Sequence, residues 1–396
     1  MAVFNHVSFD EHEQVVFCHD KESGLKAIVA IHNTNLGPAV GGCRMWNYQS
    51  DDEALTDVLR LSRGMTYKNA LAGLTMGGGK SVIIADPKRP DREALFRAFG
   101  RFINSLGGRY YSAEDVGTTT ADIMIAHQET PYMAGLEGKS GDPSPFTALG
   151  TYLGIKAAVK HKLDLDSLKG LKIAVQGVGH VGYYLCKHLH EEGAQLIVTD
   201  IHQASLDKVA TDFGAIVVAP QDIYAQDVDV YAPCALGATL NDVTLPQLKA
   251  KIVAGCANNQ LAEVRHGEQL KEMGILYAPD YVINAGGIIN VSFEKDYDAA
   301  KSEAKVREIY NTLLKIFAKA DAENRTTGAV ADEMARAIWS DVSRAGDAAL
   351  DRLTGGRAFE RFARLGIPHP RRPVRRDDAL SIGAKRRRPD SAFMRQ

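Results

Sequence analysis

The sequence predicts a two-domain α/β protein, with a Rossmann-type doubly wound parallel sheet in its second domain and a less regular α/β unit before it. Three observations carry this. Between residues 171 and 280, short apolar runs alternate with helical stretches, the pattern of strands covered by helices on both faces. A glycine turn, Gly177-Val178-Gly179-His180-Val181-Gly182, stands at the first strand–helix junction of that series. The 396 residues are enough for two separate cores.

In chain order, QVVFCHD (14–20), LKAIVAIH (25–32) and KSVIIADP (80–87) read as strands. Asp51–Arg63 and Asp91–Leu106 read as helices, each opened by acidic residues where the helix dipole favours them. GLEGKSGDPSP (135–145) is turn-rich and reads as a hinge. LKIAVQG (171–177), a helix from His180 to Glu192, AQLIVTD (194–200) and a helix over 203–212 follow. AIVVAP (215–220), VDVYAP (228–233), KIVAG (251–255) and ILYAPD (275–280) complete the strands. Residues 283–350 are helical by composition and could pass back towards the first domain. The expected division is 1–134, 135–327 as the Rossmann domain, 328–350 as a returning helical segment, and 351–396 as a basic tail expected to be disordered.

Hydrophobic residues are 45% and charged residues 24%, ordinary for a soluble globular protein. No apolar run is long enough to span a bilayer. The N-terminal stretch is polar and acidic, unlike a secretory signal. The cysteines are five, widely spaced and without C-x-x-C, which argues against a disulfide framework or a cysteine metal site. A cytoplasmic protein without a metal is expected. The net charge of −2 hides an asymmetry: residues 352–396 carry 13 Lys/Arg against 4 Asp/Glu, the remainder 34 against 45. So acidic a body is a poor nucleic-acid binder. The tail, with RRPVRR and KRRRP, reads as a solvated extension, and binding of a polyanion is its second reading.

The glycine turn fits G-x-G-x-x-G, and Asp200 ends the next strand 18 residues after Gly182. Gly177 permits the tight turn, Gly179 lets the backbone approach a pyrophosphate, and Gly182 permits close helix–sheet packing. The helix N-terminus offers N–H groups to phosphates. Asp200 can accept from ribose hydroxyls and repels a 2′-phosphate, which favours NAD over NADP. Similar turns occur in S-adenosylmethionine-binding folds, so the glycines alone do not establish hydride chemistry.

GMTYKNALAGLTMGGGKSVI (64–83) holds Lys68 and Lys80. A phosphate loop of the form G-x-x-x-x-G-K-[ST] would need glycine at 74, which is Leu74. An amino-acid site is the other reading. A lysine against a glycine run is shielded from water, and desolvation with a second ammonium nearby lowers a lysine's pKa towards that of a base. A second lysine left charged can hold a carboxylate. On this segment alone, two solvated surface lysines are an equal reading. Asp115, in YYSAEDVGTTTAD (110–122), reads locally as a helix N-terminal residue.

Taken together, the chain resembles the Glu/Leu/Phe/Val amino-acid dehydrogenase family over almost all of residues 10–345. The resemblance rests on GPAVGGCRMW (37–46), the 64–83 segment, SAEDVGTT (112–119), GDPSPFTALG (141–150) and IAVQGVGHVGYYLCKHLHEEGAQLIVTD (173–200). It continues through YAPCALGATLND (231–242), GCANNQL (255–261) and YAPDYVINAGGIINV (277–291). It implies a homo-oligomer, octamer or dimer, with its active site in the interdomain cleft. The first domain would carry the amino acid and the oligomer contacts, the second NAD. Lys68 would hold the α-carboxylate, with Gly41 and Gly42 letting it approach the backbone. Lys80 would activate the water that attacks an imine, and Asp115 would exchange a proton with the amino group. Thr147 and Asn259 would meet the nicotinamide end, and Ala235 lies by the adenosine side. The implied reaction takes an amino acid to its 2-oxo acid and ammonia. A non-catalytic NAD-binding regulator is the alternative, and the intact Lys68, Lys80 and Asp115 set opposes it.

The family's side-chain pocket falls on Val40, Met65, Ala113, Ile288 and Val291. None can pair with a glutamate γ-carboxylate, which would be buried as a lone charge. Small branched side chains, leucine with isoleucine and valine, are expected. Discrimination against phenylalanine is weaker, because one methylene in an apolar pocket is worth only ~1–3 kcal/mol. Plain core positions remain a second reading for some of the five.

Overall fold

The computed structural model describes residues 3–136, 141–294 and 297–345. The first sheet forms from β1 (Gln14–Asp20), β2 (Leu25–Asn33), β3 (Ala39–Trp46), β4 (Gly77–Ile84) and β5 (Tyr110–Glu114), with helices α1 (Asp51–Leu71), α2 (Arg92–Ser105) and α3 (Thr120–His127) between them. Its spatial order is β1-β2-β4-β3-β5. The β1–β2 and β2–β4 pairs are antiparallel, and β4–β3 and β3–β5 are parallel. β2 has apolar residues on both faces because helices cover both. Ala27, Val29 and Ile31 join a core with Phe96 and Phe99 of α2. Ile28 and Ala30 join another with Leu55, Val58 and Leu59 of α1. The strand's two-residue period sends alternate side chains to opposite layers.

Two differences from the expected elements bear on the site. β3 was not among the expected strands, since two adjacent glycines interrupt its pattern. It lies between β4 and β5 and brings Gly41 and Gly42 to the middle of the sheet. Helix α1 runs to Leu71, two turns beyond the expected end at Arg63. Gly64 weakens helix propensity there, but Tyr67, Ala70 and Leu71 are buried in the core of the second sheet's helices. Tertiary packing thus extends α1 and places Met65 and Lys68 on it.

The second sheet comprises β6 (Lys172–Gln176), β7 (Gln195–Thr199), β8 (Ile216–Val217), β9 (Val230–Pro233), β10 (Ile252–Val253) and β11 (Leu276–Tyr277). All its pairings are parallel, in the order β11-β10-β9-β6-β7-β8. Renumbered from β6, that is the 3-2-1-4-5-6 order of a dinucleotide-binding fold, whose switch point lies between β6 and β9. Several strands are shorter than their apolar runs: β8, β10 and β11 have two residues each. Around the sheet pack α4 (Ser144–Leu163), α5 (His180–Glu191), α6 (Gln203–Phe213), α7 (Arg265–Glu272), α8 (Asp280–Ile283), α9 (Gly286–Ser292), α10 (Ala299–Glu323) and α11 (Thr327–Ala345).

α11 lies against α1 of the first sheet. Arg63 pairs with Asp332 at 3.1 Å, Arg336 Nε donates to Tyr67 Oη at 2.7 Å, and the Tyr67 and Trp339 rings meet edge-on at 4.9 Å. Among the described residues no helix is long and apolar enough to cross a membrane. All five cysteines are free. The 351–396 tail readings, and residues 137–140 of the expected hinge, lie outside the described residues.

Candidate active site

Lys80 is not a surface charge. It sits in β4 opposite Ala30 of β2, between buried Gly79 and Ser81, and is 7% exposed. Its ammonium pairs directly with Asp115. Asp115 follows β5, and the turn holds it: its N–H donates to Thr118 Oγ1 (3.0 Å), whose hydroxyl donates to Cys43 O (2.9 Å). The local reading of Asp115 as a helix N-terminal residue is therefore corrected. α3 starts five residues later and is capped by Thr119 and Asp122, which frees the Asp115 side chain to face Lys80. Arg44 of β3 adds a second cation, its Nε 3.7 Å from Asp115 Oδ2. Burial raises the Asp115 pKa, but Lys80 and Arg44 outweigh it and hold the carboxyl near 2. A carboxylate held low contributes to folding above the ordinary carboxylate range, and that contribution is lost as pH falls towards 2.

Gly41 and Gly42 stand beside this pair, and neither position has room for a side chain. A Cβ on Gly41 would lie 1.9 Å from Gly79 O, and one on Gly42 would lie 2.5 Å from Glu114 O. The missing side chains admit the backbone of β4 at Gly79 and of β5 at Glu114. Tyr110 Oη donates to Gly41 O (2.7 Å) and locks the arrangement.

Lys68, near the end of α1, reaches across to the second sheet's loops. Its Nζ donates to Asn258 Oδ1 at 3.4 Å. Burial lowers its pKa to about 8; Asp280 opposes the shift and the Lys80 charge adds to it. Asp280, whose carboxyl burial raises, accepts from the N–H groups of Gln260 and Tyr281.

At the second sheet's switch point, Gly177 turns at φ +97°, and a Cβ there would lie 2.7 Å from that of Ala235. A Cβ on Gly182 would lie 2.1 Å from Gly177 O, whereas one on Gly179 would meet nothing within 4 Å. The open side of Gly179 and the N-terminus of α5, with no side-chain cap, leave a cradle suited to a pyrophosphate. Val178 N donates to Asp200 Oδ2 (2.7 Å) and His202 N to Oδ1 (2.9 Å), so Asp200 also braces the turn. His180 and Val181 open α5. Asn259 takes a left-handed φ of 51° in the loop after β10. Thr147 Oγ1 donates to Pro143 O and lies 2.7 Å from the position of a Cβ on Gly287 in α9.

Ile288 and Val291 stand three residues apart on α9, on the same side. Val40 is buried in β3. Met65 Cγ lies 3.3 Å from the position of a Cβ on Gly41, and the Ala113 Cβ lies 4.0 Å from that of one on Gly135. Glu294, just past α9, accepts from Gly135 N (2.8 Å) and Leu136 N. This contact ties the Val291 end of α9 to the Ala113 side of the first sheet.

Family models describe the chain as a Glu/Leu/Phe/Val dehydrogenase dimerisation domain over residues 12–132 and as Glutamate/Leucine/Phenylalanine/Valine dehydrogenase over 138–208 and 198–349. The chain belongs to the Glu/Leu/Phe/Val dehydrogenase family. It is 58% identical over 339 residues to a leucine dehydrogenase of Geobacillus stearothermophilus, covering 85% of this chain and 92% of that one. An L-tryptophan dehydrogenase of Nostoc punctiforme is 51% identical over 337 residues, 85% of this chain and 95% of that one. The crystal structure of L-tryptophan dehydrogenase from Nostoc punctiforme matches with a TM-score of 0.74 at 49% identity, covering 85% of this chain and 98% of that one.

Within this family member, sequence reasoning missed Arg44, Asn258, Asp280 and Asn284. Arg44 is bound at Nη1 by Asp57 (3.0 Å), which also accepts from Tyr48 Oη (2.6 Å). No local signal separates it from any other arginine in a strand. Arg44→Gln is expected to raise the Asp115 pKa, because one of two cations facing the carboxylate is lost. The acid limb of the kcat–pH profile should move to higher pH; an unmoved limb would show that Arg44 does not act on Asp115.

Proposed function

We propose that this chain catalyses the reversible, NAD-dependent oxidative deamination of L-leucine, and of isoleucine and valine, to the 2-oxo acid, ammonia and NADH. The observation that carries this reading is the buried Lys80–Asp115 pair with Lys68 reaching over the cleft. NAD, when bound, supplies the hydride acceptor for the substrate Cα. Lys68 binds the α-carboxylate and fixes which face of Cα is presented. Asp115 Oδ2 takes a proton from the α-ammonium, so that the nitrogen lone pair can drive hydride departure. Lys80 Nζ, in its neutral form, takes a proton from the water that adds to the iminium carbon. Asp115, in direct contact with it, then gives its proton to the carbinolamine nitrogen and takes one from the hydroxyl as the C–N bond breaks, which releases ammonia and leaves the 2-oxo acid. The surrounding fixed charges stabilise the carbinolamine oxygen as it develops.

Gly177, Val178, Gly179, His180, Val181 and Gly182 would hold the pyrophosphate, Thr147 and Asn259 the nicotinamide end, and Ala235 the adenosine side. Asp200, an anion beside the turn, favours NAD over NADP. Val40, Met65, Ala113, Ile288 and Val291 would line the side-chain pocket, and none of the five is a cation that could pair with a glutamate side chain. The leucine reading is supported by 58% identity to a leucine dehydrogenase, against 51% to an L-tryptophan dehydrogenase. We further infer a cytoplasmic homo-oligomer, octamer or dimer, with residues 1–134 as the substrate and oligomer domain, 135–327 as the NAD domain and 328–350 as the returning segment.

NADH formation with a panel of L-amino acids tests the reading. Leucine, isoleucine and valine should give the highest kcat/KM, and glutamate none. Tryptophan or phenylalanine ahead of leucine would overturn the substrate, and no turnover with any amino acid would overturn the activity. In the same assay, competition by 4-methylpentanoate, a carboxylate without an amino group, should weaken as pH rises through about 8 and Lys68 loses its proton. Affinity constant to pH 10 would remove Lys68 from carboxylate binding.

A further inference from the structure

Asn258 is exposed in the loop after β10, and its Oδ1 receives two donors. Lys68 Nζ comes from α1 of the first sheet at 3.4 Å, and Asn284 Nδ2 comes from the end of α8 at 2.8 Å. Asn284 is 6% exposed, and its Nδ2 also donates to Cys256 O at 3.0 Å. Chemistry fixes both carboxamides. An ammonium has only donors, so Asn258 must turn its oxygen to Lys68. A backbone carbonyl only accepts, so Asn284 must turn its nitrogen to Cys256 and Asn258. This orientation leaves the buried Asn284 Oδ1 with no hydrogen-bond partner, a cost that buried amides ordinarily avoid. Asn284 is therefore arranged for the two acceptors on its nitrogen, and one of them is the oxygen that meets Lys68. The Asp280 carboxylate acts on the Lys68 charge through space, while Asn258 Oδ1 takes its hydrogen bond.

We propose that Asn258, braced by Asn284, is the positioning residue for Lys68: it takes one ammonium N–H from across the cleft and turns the other two towards the substrate carboxylate. The inference rests on the amino-acid reading of the site. A neutral amide suits the role. An uncharged oxygen orients the ammonium while leaving its positive charge for the substrate. The contact also joins the two sheets' domains, so carboxylate binding and cleft geometry are linked through one side chain.

The experiment has two arms on the full chain. The first needs no substrate. The pH dependence of Lys68 acetylation by acetic anhydride is read by mass spectrometry, with other lysines as internal references. Asn258→Ala removes an acceptor and should lower the labelling midpoint; Asn258→Asp adds a charge and should raise it, each changing the rate near pH 8 by about threefold or more. The second arm is kinetic. Asn258→Ala should raise KM for the amino acid and for the 2-oxo acid about tenfold, with kcat changed far less and NADH affinity unchanged. Asn258→Asp should recover part of the KM. Midpoints unmoved in both variants overturn the contact. Moved midpoints with unchanged KM overturn the positioning role. Loss of NADH affinity with unmoved midpoints would mark Asn258 as a purely structural loop residue. If wild-type protein turns over no amino acid, the proposed function fails, while the labelling arm still decides the Lys68–Asn258 contact.

Discussion

Lys80→Ala is expected to lower kcat by at least ~10³-fold, within the range lost when a positioned general base is removed, while NADH binding stays near wild type. The separation follows from the fold. Lys80 belongs to β4 of the first sheet, whereas the glycine turn that would hold the cofactor lies in the second. Alanine also strips Asp115 of its direct partner, but Arg44 remains within 3.7 Å of the same oxygen, so the buried carboxylate keeps one compensating charge. To separate chemistry from misfolding, Lys80→Cys can be alkylated with 2-bromoethylamine, which rebuilds an amine of nearly the same length. Recovered turnover after alkylation would place the loss in the amine itself. A Lys80→Ala protein with near-normal kcat would remove Lys80 from the mechanism, whatever its effect on stability.

How far this site can be read in the sequence depends on whether its partners are local. The glycine turn and Asp200 lie within 24 residues, and each has a physical use fixed by its own position, so they are legible directly. Lys80 and Asp115 are 35 residues apart and become partners only because β3 lies between β4 and β5 and carries no side chain at 41 and 42. Those same glycines hide β3 as a strand. Alternation is lost where it matters most, because the neighbouring backbone approaches too closely for a Cβ. Local rules then favour a helix end for Asp115, and the resemblance to a family corrects them.

The end of α1 illustrates the opposite failure. Propensity stops the helix at Gly64, but packing of Tyr67, Ala70 and Leu71 against the second sheet's helices continues it. Helical stability in proteins comes mostly from such packing. Lys68 owes its position to contacts made by residues from the other half of the chain. Asn258 and Asn284 are illegible for a related reason. An asparagine in a loop has many uses, and only the chain crossing the cleft, with one donor-only and one acceptor-only neighbour, singles them out.

The glycine turn yields the second large effect, because its three glycines should fail in different ways. Gly182→Ala would press a methyl to 2.1 Å from Gly177 O, backbone against backbone. Helix α5 must shift off the sheet, and a loss of about 3 kcal/mol or more in urea unfolding is expected, as for other overpacked cores. Gly177→Ala adds a left-handed φ to its clash with Ala235 and should behave similarly. Gly179→Ala meets nothing within 4 Å, and its backbone, at φ −68° and ψ −155°, is extended. Its stability should match wild type within about 0.5 kcal/mol, while NADH affinity falls at least tenfold, about 1.4 kcal/mol, since the methyl enters the space left for a pyrophosphate. A structural turn without a cofactor would lose stability at 177 and 182 and nothing at 179. Only a phosphate site makes the glycine with the most room the one whose loss is felt in binding, so calorimetric titration of Gly179→Ala with NADH, set beside its unfolding curve, distinguishes the two. Unchanged affinity there would refute the assignment of the turn to the cofactor even with an active enzyme.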